Sequence, residues 1–142
     1  MTVLYHGGVP GLRVGDVITP DHDRRRHDGC AQCAAGDSPG HHAVYASTSR
    51  LYATHYASLY GRGDLYRVEL DNPTRSTEDS IETWHGPTAR VVAVLDRAVL
   101  LTMSQRRRLY REWRDADKAV GWSTGFAARD FALARRIGLV LR

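Results

Sequence analysis

A chain of 142 residues is enough for one ordinary domain with a single core and too short for two. No apolar run approaches the roughly 20 residues of a membrane helix, which excludes a spanning helix. Val3 and Leu4 lead straight into polar residues without the pattern of a secretory leader, so the expected compartment is the cytoplasm. The formal charge of +4 is carried by arginine, since Lys118 is the only lysine; this suits an anionic ligand and is equally common on proteins that bind no nucleic acid.

Residues 3–5 read as a short apolar strand stopped by Gly7-Gly8, and residues 12–18 as a connection closed by Pro20. Residues 21–42 are charged, contain glycine and have no period, a length that in a compact domain marks a functional or disordered loop. Residues 43–46 (AVYA) make a second strand, and Ser47-Thr48-Ser49 can cap a helix on which Leu51, Tyr52, His55, Tyr56 and Leu59 recur at helical spacing. Gly61 or Gly63 ends it. Residues 64–70 (DLYRVEL) alternate as a strand with Leu65, Arg67 and Glu69 on one side, stopped by Asn72-Pro73. Residues 74–88 read as irregular, and residues 89–95 (ARVVAVL) and 98–101 as buried strand. From Ser104 a helix is expected, with Leu109, Tyr110 and Trp113 as its apolar stripe among Arg106, Arg107, Arg108, Arg111 and Arg114. Residues 126–136 look helical, and residues 137–141 are a last short strand or a tail. This order predicts a single α+β domain of short strands with helices laid against them.

Three residues are candidates for chemistry, each with an ordinary reading beside the functional one. His6 between an apolar strand and two glycines is either satisfied by nearby backbone or part of a ligand site. Tyr45 is either core with its hydroxyl at the rim or a stacking face, and Asp79 either a surface acid or a functional one. Their order adds information. LYHGG followed by GLRVGDVITP, then VYASTS opening a helix, then LYRVELDN, STEDS and TARVVAVLD, resembles the small bacterial rifampin ADP-ribosyltransferases, of the diphtheria-toxin-like branch with a histidine, a tyrosine and an acid in the active site.

The resemblance spans residues 4–102 and implies an ADP-ribosyltransferase-like split β-sandwich with flanking helices, a core over residues 3–102 and an arginine-rich helical extension over residues 103–142. It implies NAD+ as substrate, with His6 on a ribose hydroxyl, the backbone of Gly7 and Gly8 close to the nicotinamide carboxamide, and Tyr45 stacked on the nicotinamide ring. Tyr56 and Ser47 join that binding set, and Asp79, or its neighbour Glu78, is the acid. The first strand carries His6 rather than an arginine and no Glu-X-Glu occurs, which separates the chain from the other large branch of the superfamily. The resemblance does not explain the arginine-rich helix after Thr102.

The loop HDGCAQC places His27, Cys30, Cys33 and His41 at the spacing of a tetrahedral zinc site, in which thiolates and imidazoles hold a structural ion. A loop disulfide or two free thiols are the alternatives, and a reducing cytoplasm argues against the disulfide. Arg24-Arg25-Arg26 and Arg106-Arg107-Arg108 read as solvated faces, with the first triplet the better placed to hold a pyrophosphate. The expected function is transfer of ADP-ribose from NAD+ to an acceptor that the sequence does not identify: a small molecule, protein or nucleic acid. Transfer to water would make an NAD+ glycohydrolase. The rivals are a small basic nucleic-acid-binding module, resting on the high pI, the arginine triplets and a zinc-stapled loop, and an inactive relative that only binds a nucleotide.

Overall fold

The alternation in DLYRVEL belongs to a strand near the middle of a sheet, one face of which meets an apolar cluster and the other a helix. The computed structural model describes residues 2–20, 43–59 and 62–122. In chain order these form β1 (Leu4–Gly8), β2 (Val17–Ile18), β3 (Val44–Ser47), α1 (Arg50–Leu59), β4 (Asp64–Leu70), β5 (Thr74–Arg75), β6 (Thr83–Gly86), β7 (Ala89–Asp96) and α2 (Met103–Ala119). Every pairing among the described residues is antiparallel, and the seven strands run β2-β7-β4-β1-β3-β6-β5 across one sheet. The domain is α+β.

Register assigns the faces, because residues directly opposite one another in a ladder point the same way. Leu4↔Val68 and His6↔Tyr66 place Leu4, His6, Gly8, Tyr66 and Val68 on one face. There Leu4, Val44, Ala46, Tyr66, Val68, Ala89 and Val91 form the first core cluster. Tyr5, Gly7 and Leu65 point to the other face, where Leu65 packs with Ala53 and Ala57 of α1 and with Val99. On α1, seven residues are buried, from Leu51 to Ser58, because the helix is enclosed on two sides, by the sheet below and α2 above. Leu51 and Tyr52 meet Leu109 and Trp113 of α2 in a third cluster that includes Ile81 and Leu101. α2, the first part of the expected helical extension, thus packs against α1 through Leu109 and Trp113.

Four expectations are corrected. β1 runs through Gly7 and Gly8 instead of stopping there, and residues 12–18 are not a connection throughout but end in β2, paired with β7. Residues 74–88 are not irregular throughout: they contain β5 and β6, and β6 pairs with β3 from Ser47↔Thr83 to Val44↔Gly86. TWHG has too few apolar positions to announce a strand; its partner makes it one. Residues 98–101 are not a strand. Ala98 takes a left-handed backbone (φ 50°), and Val99 and Leu101 are buried as packing residues between sheet and helices.

At the start of α2, Thr102 and Gln105 form a reciprocal cap. The Gln105 N–H donates to Thr102 Oγ1 at 3.1 Å, and the Thr102 N–H donates to Gln105 Oε1 at 2.9 Å. The helix stops at Gly121, whose φ of 74° lets its N–H reach the Lys118 carbonyl (3.1 Å) and the Trp122 N–H reach that of Asp117 (2.8 Å). Replacing Thr102 by alanine is expected to lower stability by about 1 kcal/mol, read as a reduced midpoint in urea unfolding with an unchanged slope. Among the described residues no helix is long and apolar enough to cross a membrane. The segments expected at residues 126–136 and 137–141 lie outside the described residues.

Candidate functional site

β1 is gripped along its whole length by β4, from Leu4↔Val68 to Gly8↔Asp64, whereas its register with β3 is the pair Tyr5↔Ser47. Beyond that pair a side chain makes the link: His6 Nδ1 lies 2.7 Å from the Tyr45 carbonyl oxygen. A carbonyl only accepts, so Nδ1 carries a proton. Burial lowers the pKa of the imidazole, and the Tyr45 carbonyl offsets this in part. At neutral pH the ring is therefore neutral, and Nε2 offers a lone pair.

The glycines that follow serve two different neighbours. A Cβ built on Gly8 would stand 2.6 Å from His6 Nε2, so the bare Cα lets the imidazole lie back along its own strand. One built on Gly7 would stand 2.5 Å from the Ala57 nitrogen and closer still to the Ala53 carbonyl. Direct contact with the α1 backbone is thus a reason for glycine at Gly7 that does not involve a ligand.

By alternation Tyr45 points to the opposite face from His6, so the two side chains flank the parting of the strands. The Tyr45 hydroxyl donates to Glu78 Oε2 at 3.1 Å, and its ring stands 5.5 Å from that of His85 across the β3–β6 ladder. Burial first, and then the negative charge of Glu78, raise the Tyr45 pKa, which keeps the phenol protonated. Asp79 is half-buried. It accepts from Tyr52 Oη at 2.5 Å and from Ser76 Oγ at 3.4 Å. Its pKa is raised: burial is the largest cause and the adjacent Glu78 adds to it, against the opposing effect of the Tyr52 and Ser76 hydroxyls.

Tyr52 has one hydroxyl proton, donated to Asp79, so the contact of 3.0 Å between the Tyr52 and Tyr56 hydroxyls is donated by Tyr56. A directed chain runs from the exposed Tyr56 through the buried Tyr52 to the acid.

The structure thus gathers Tyr45, Tyr56, Glu78 and Asp79 on one side and joins His6 to them through the Tyr45 backbone. Ser47 is not presented in the same way. It is buried, donating to the Glu82 carbonyl at 2.6 Å and accepting from the Ser49 N–H at 3.0 Å. Ser49 is the residue that caps α1, accepting from the Tyr52 N–H at 3.2 Å. The sequence reading placed Tyr52 only in an apolar stripe, although its spacing of four from Tyr56 already aligns the two hydroxyls on one helix face. His85 carried no signal, since it stands in a stretch without period. His27, Cys30, Cys33 and His41, and the Arg24-Arg25-Arg26 triplet, lie outside the described residues. Among the described residues no group of three His, Cys, Asp or Glu side chains is arranged to hold a metal ion.

No family model, curated protein or solved structure matches this chain.

Proposed function

We propose that the protein is an enzyme of the ADP-ribosyltransferase type, which breaks the nicotinamide–ribose bond of NAD+ and passes ADP-ribose to an acceptor. The observation that carries this reading is the parting of β1 from β3, with the neutral imidazole of His6 on one face and the Tyr45, Glu78 and Asp79 group on the other. An extended dinucleotide laid across that parting meets both. His6 Nε2 accepts from a ribose hydroxyl, and Tyr45 offers an aromatic face to the nicotinamide.

In the reaction the bond between the ribose C1′ and the pyridinium nitrogen breaks and its electron pair leaves with nicotinamide. The leaving group departs neutral, so no general acid is required. Positive charge develops on the sugar, as in glycoside hydrolysis, where a carboxylate meets it. A carboxylate already fixed in place stabilises that charge more than it stabilises the ground state. Asp79 fits this role better than Glu78, because two hydroxyls hold it in a half-buried position whereas Glu78 is exposed. The acceptor then bonds to C1′ and gives up its proton. With water as acceptor the product is free ADP-ribose, and the activity is that of a glycohydrolase.

Incubation with NAD+ and chromatographic measurement of nicotinamide tests the proposal. Release by the wild-type protein is expected to fall about 100-fold or more in His6→Ala and in Asp79→Asn, the scale typical for loss of one preorganised electrostatic group. No release with any acceptor, or equal release by all three proteins, would reject it.

A further inference from the structure

Asp79 stands where two helices and its own loop meet. From α1, Tyr52 Oη lies 2.5 Å from Oδ1, and from within the loop Ser76 Oγ lies 3.4 Å from Oδ2. The next residue, Ser80, is buried and donates to Asp117 Oδ1 of α2 at 2.5 Å. Tyr52 is 1% exposed, with its ring edge-on to those of Tyr56 at 5.0 Å and Trp113 at 5.1 Å. A phenol so enclosed does not reach a ligand. What its hydroxyl touches is the acid.

We propose that Tyr52 is a positioning residue, which holds the Asp79 carboxylate in one orientation, and that α2 anchors the same loop one residue on through Asp117 and Ser80. The inference rests on the reading of Asp79 as the acid that faces the sugar cation. It gives a role to the helix that lies beyond the stretch resembling ADP-ribosyltransferases. The titratable groups around Asp79 are Tyr52 and Tyr56 from α1, Glu78 from its own loop and Tyr45 from β3. Among these Glu78 works against ionisation, and the Tyr52 hydroxyl, donating to the carboxylate, favours it. Tyr56, donating to Tyr52, polarises the donor further.

Tyr52→Phe keeps the ring in its aromatic packing and removes only the hydroxyl. In protein labelled with 13C-carboxyl aspartate, with the Asp79 resonance identified from Asp79→Asn, the titration midpoint of Asp79 should move to higher pH in Tyr52→Phe. With NAD+ as probe, kcat for nicotinamide release should fall about 10-fold at unchanged KM, the scale of one hydrogen bond to a charged group. The acid limb of the kcat profile should move in the same direction as the midpoint. Ser80→Ala releases the loop from α2 without touching Asp79. It should lower kcat several-fold while the Asp79 midpoint stays in place.

An Asp79 midpoint identical in Tyr52→Phe and wild type overturns the role of Tyr52, and a wild-type kcat in Ser80→Ala overturns the anchoring by α2. A shifted midpoint in a protein that releases no nicotinamide supports the coupling of Tyr52 to Asp79 and discards the enzymatic reading instead.

Discussion

Gly7→Ala is expected to destabilise the protein by about 3 kcal/mol, at the upper end of what one extra methyl group imposes on a packed core. The neighbour it meets is not a flexible side chain. The new Cβ would fall 2.5 Å from the backbone nitrogen of Ala57 and nearer still to the carbonyl of Ala53, so the whole helix must lift from β1. That movement breaks the contacts of Ala53 and Ala57 with Leu65 and Val99. It also shifts Tyr52, which lies between these alanines and α2. Thermal unfolding should show a midpoint lower by roughly 10 °C, and any nicotinamide release should fall in the protein that remains folded. A variant within about 0.5 kcal/mol of wild type would mean that α1 does not sit on the strand in the way described. Gly7 has ordinary strand backbone, so its role is one of space and not of conformational freedom.

Asp64→Ala is expected to lose about 3 kcal/mol or more, the scale for a buried carboxylate whose donors are left unpaired. Asp64 begins β4 and is 1% exposed. Its Oδ1 accepts from the Ala98 N–H at 2.9 Å and its Oδ2 from the Gly11 N–H at 2.8 Å, while the Tyr66 hydroxyl, whose proton goes to the Val9 carbonyl at 2.6 Å, stands 3.3 Å from Oδ2. The Arg97 guanidinium pairs with the same oxygen. One carboxylate thus ties the turn after β1 to the turn after β7, including the strained backbone at Ala98. Burial raises its pKa, but the N–H groups of Gly11 and Ala98 and then Arg97 outweigh it, and the net shift is downward. A folded pKa below the unfolded value means stability that is present above the unfolded pKa of about 4 and lost as pH falls through the folded one. The stability advantage of wild type over Asp64→Asn, measured by urea unfolding, should therefore hold steady from neutral pH down to about 5 and shrink below 4. An advantage independent of pH across that range would contradict the account.

The strands with regular alternation and the helices with clear stripes were legible in the sequence. β4, β7 and both helices stand within a residue or two of where the pattern puts them, because each carries enough apolar residues to mark its buried face, whereas β1 runs on through the two glycines expected to stop it. β6 was not legible, since a four-residue strand containing His85 and Gly86 is specified by β3 and not by its own composition. Residues 98–101 misled for the opposite reason. Their apolar residues are buried, but between layers rather than in a ladder, and Asp64 turns the chain just before them.

The candidate site was half legible. His6, Tyr45 and Asp79 were singled out by type and order. The hydroxyl chain through Tyr52 depends on the distance between α1 and the loop of Asp79, which no local pattern encodes. LYHGG likewise held two kinds of information in one run of letters. The histidine bridges strands, and the glycine beside it makes room for a helix.

The pair Tyr5↔Ser47 divides the sheet into β2-β7-β4-β1 and β3-β6-β5, yet the chain does not finish one half before starting the other. It crosses the division four times, between β2 and β3, β3 and β4, β4 and β5, and β6 and β7. The halves are laced together covalently where they are barely stitched by hydrogen bonds. Neither half is encoded by a contiguous segment, so neither can nucleate alone from local contacts, and folding has to wait for distant parts of the chain to meet. Two of these connections, residues 71–73 and 87–88, are short, so widening the opening pulls on both at once and a weakly paired seam is not a weak point.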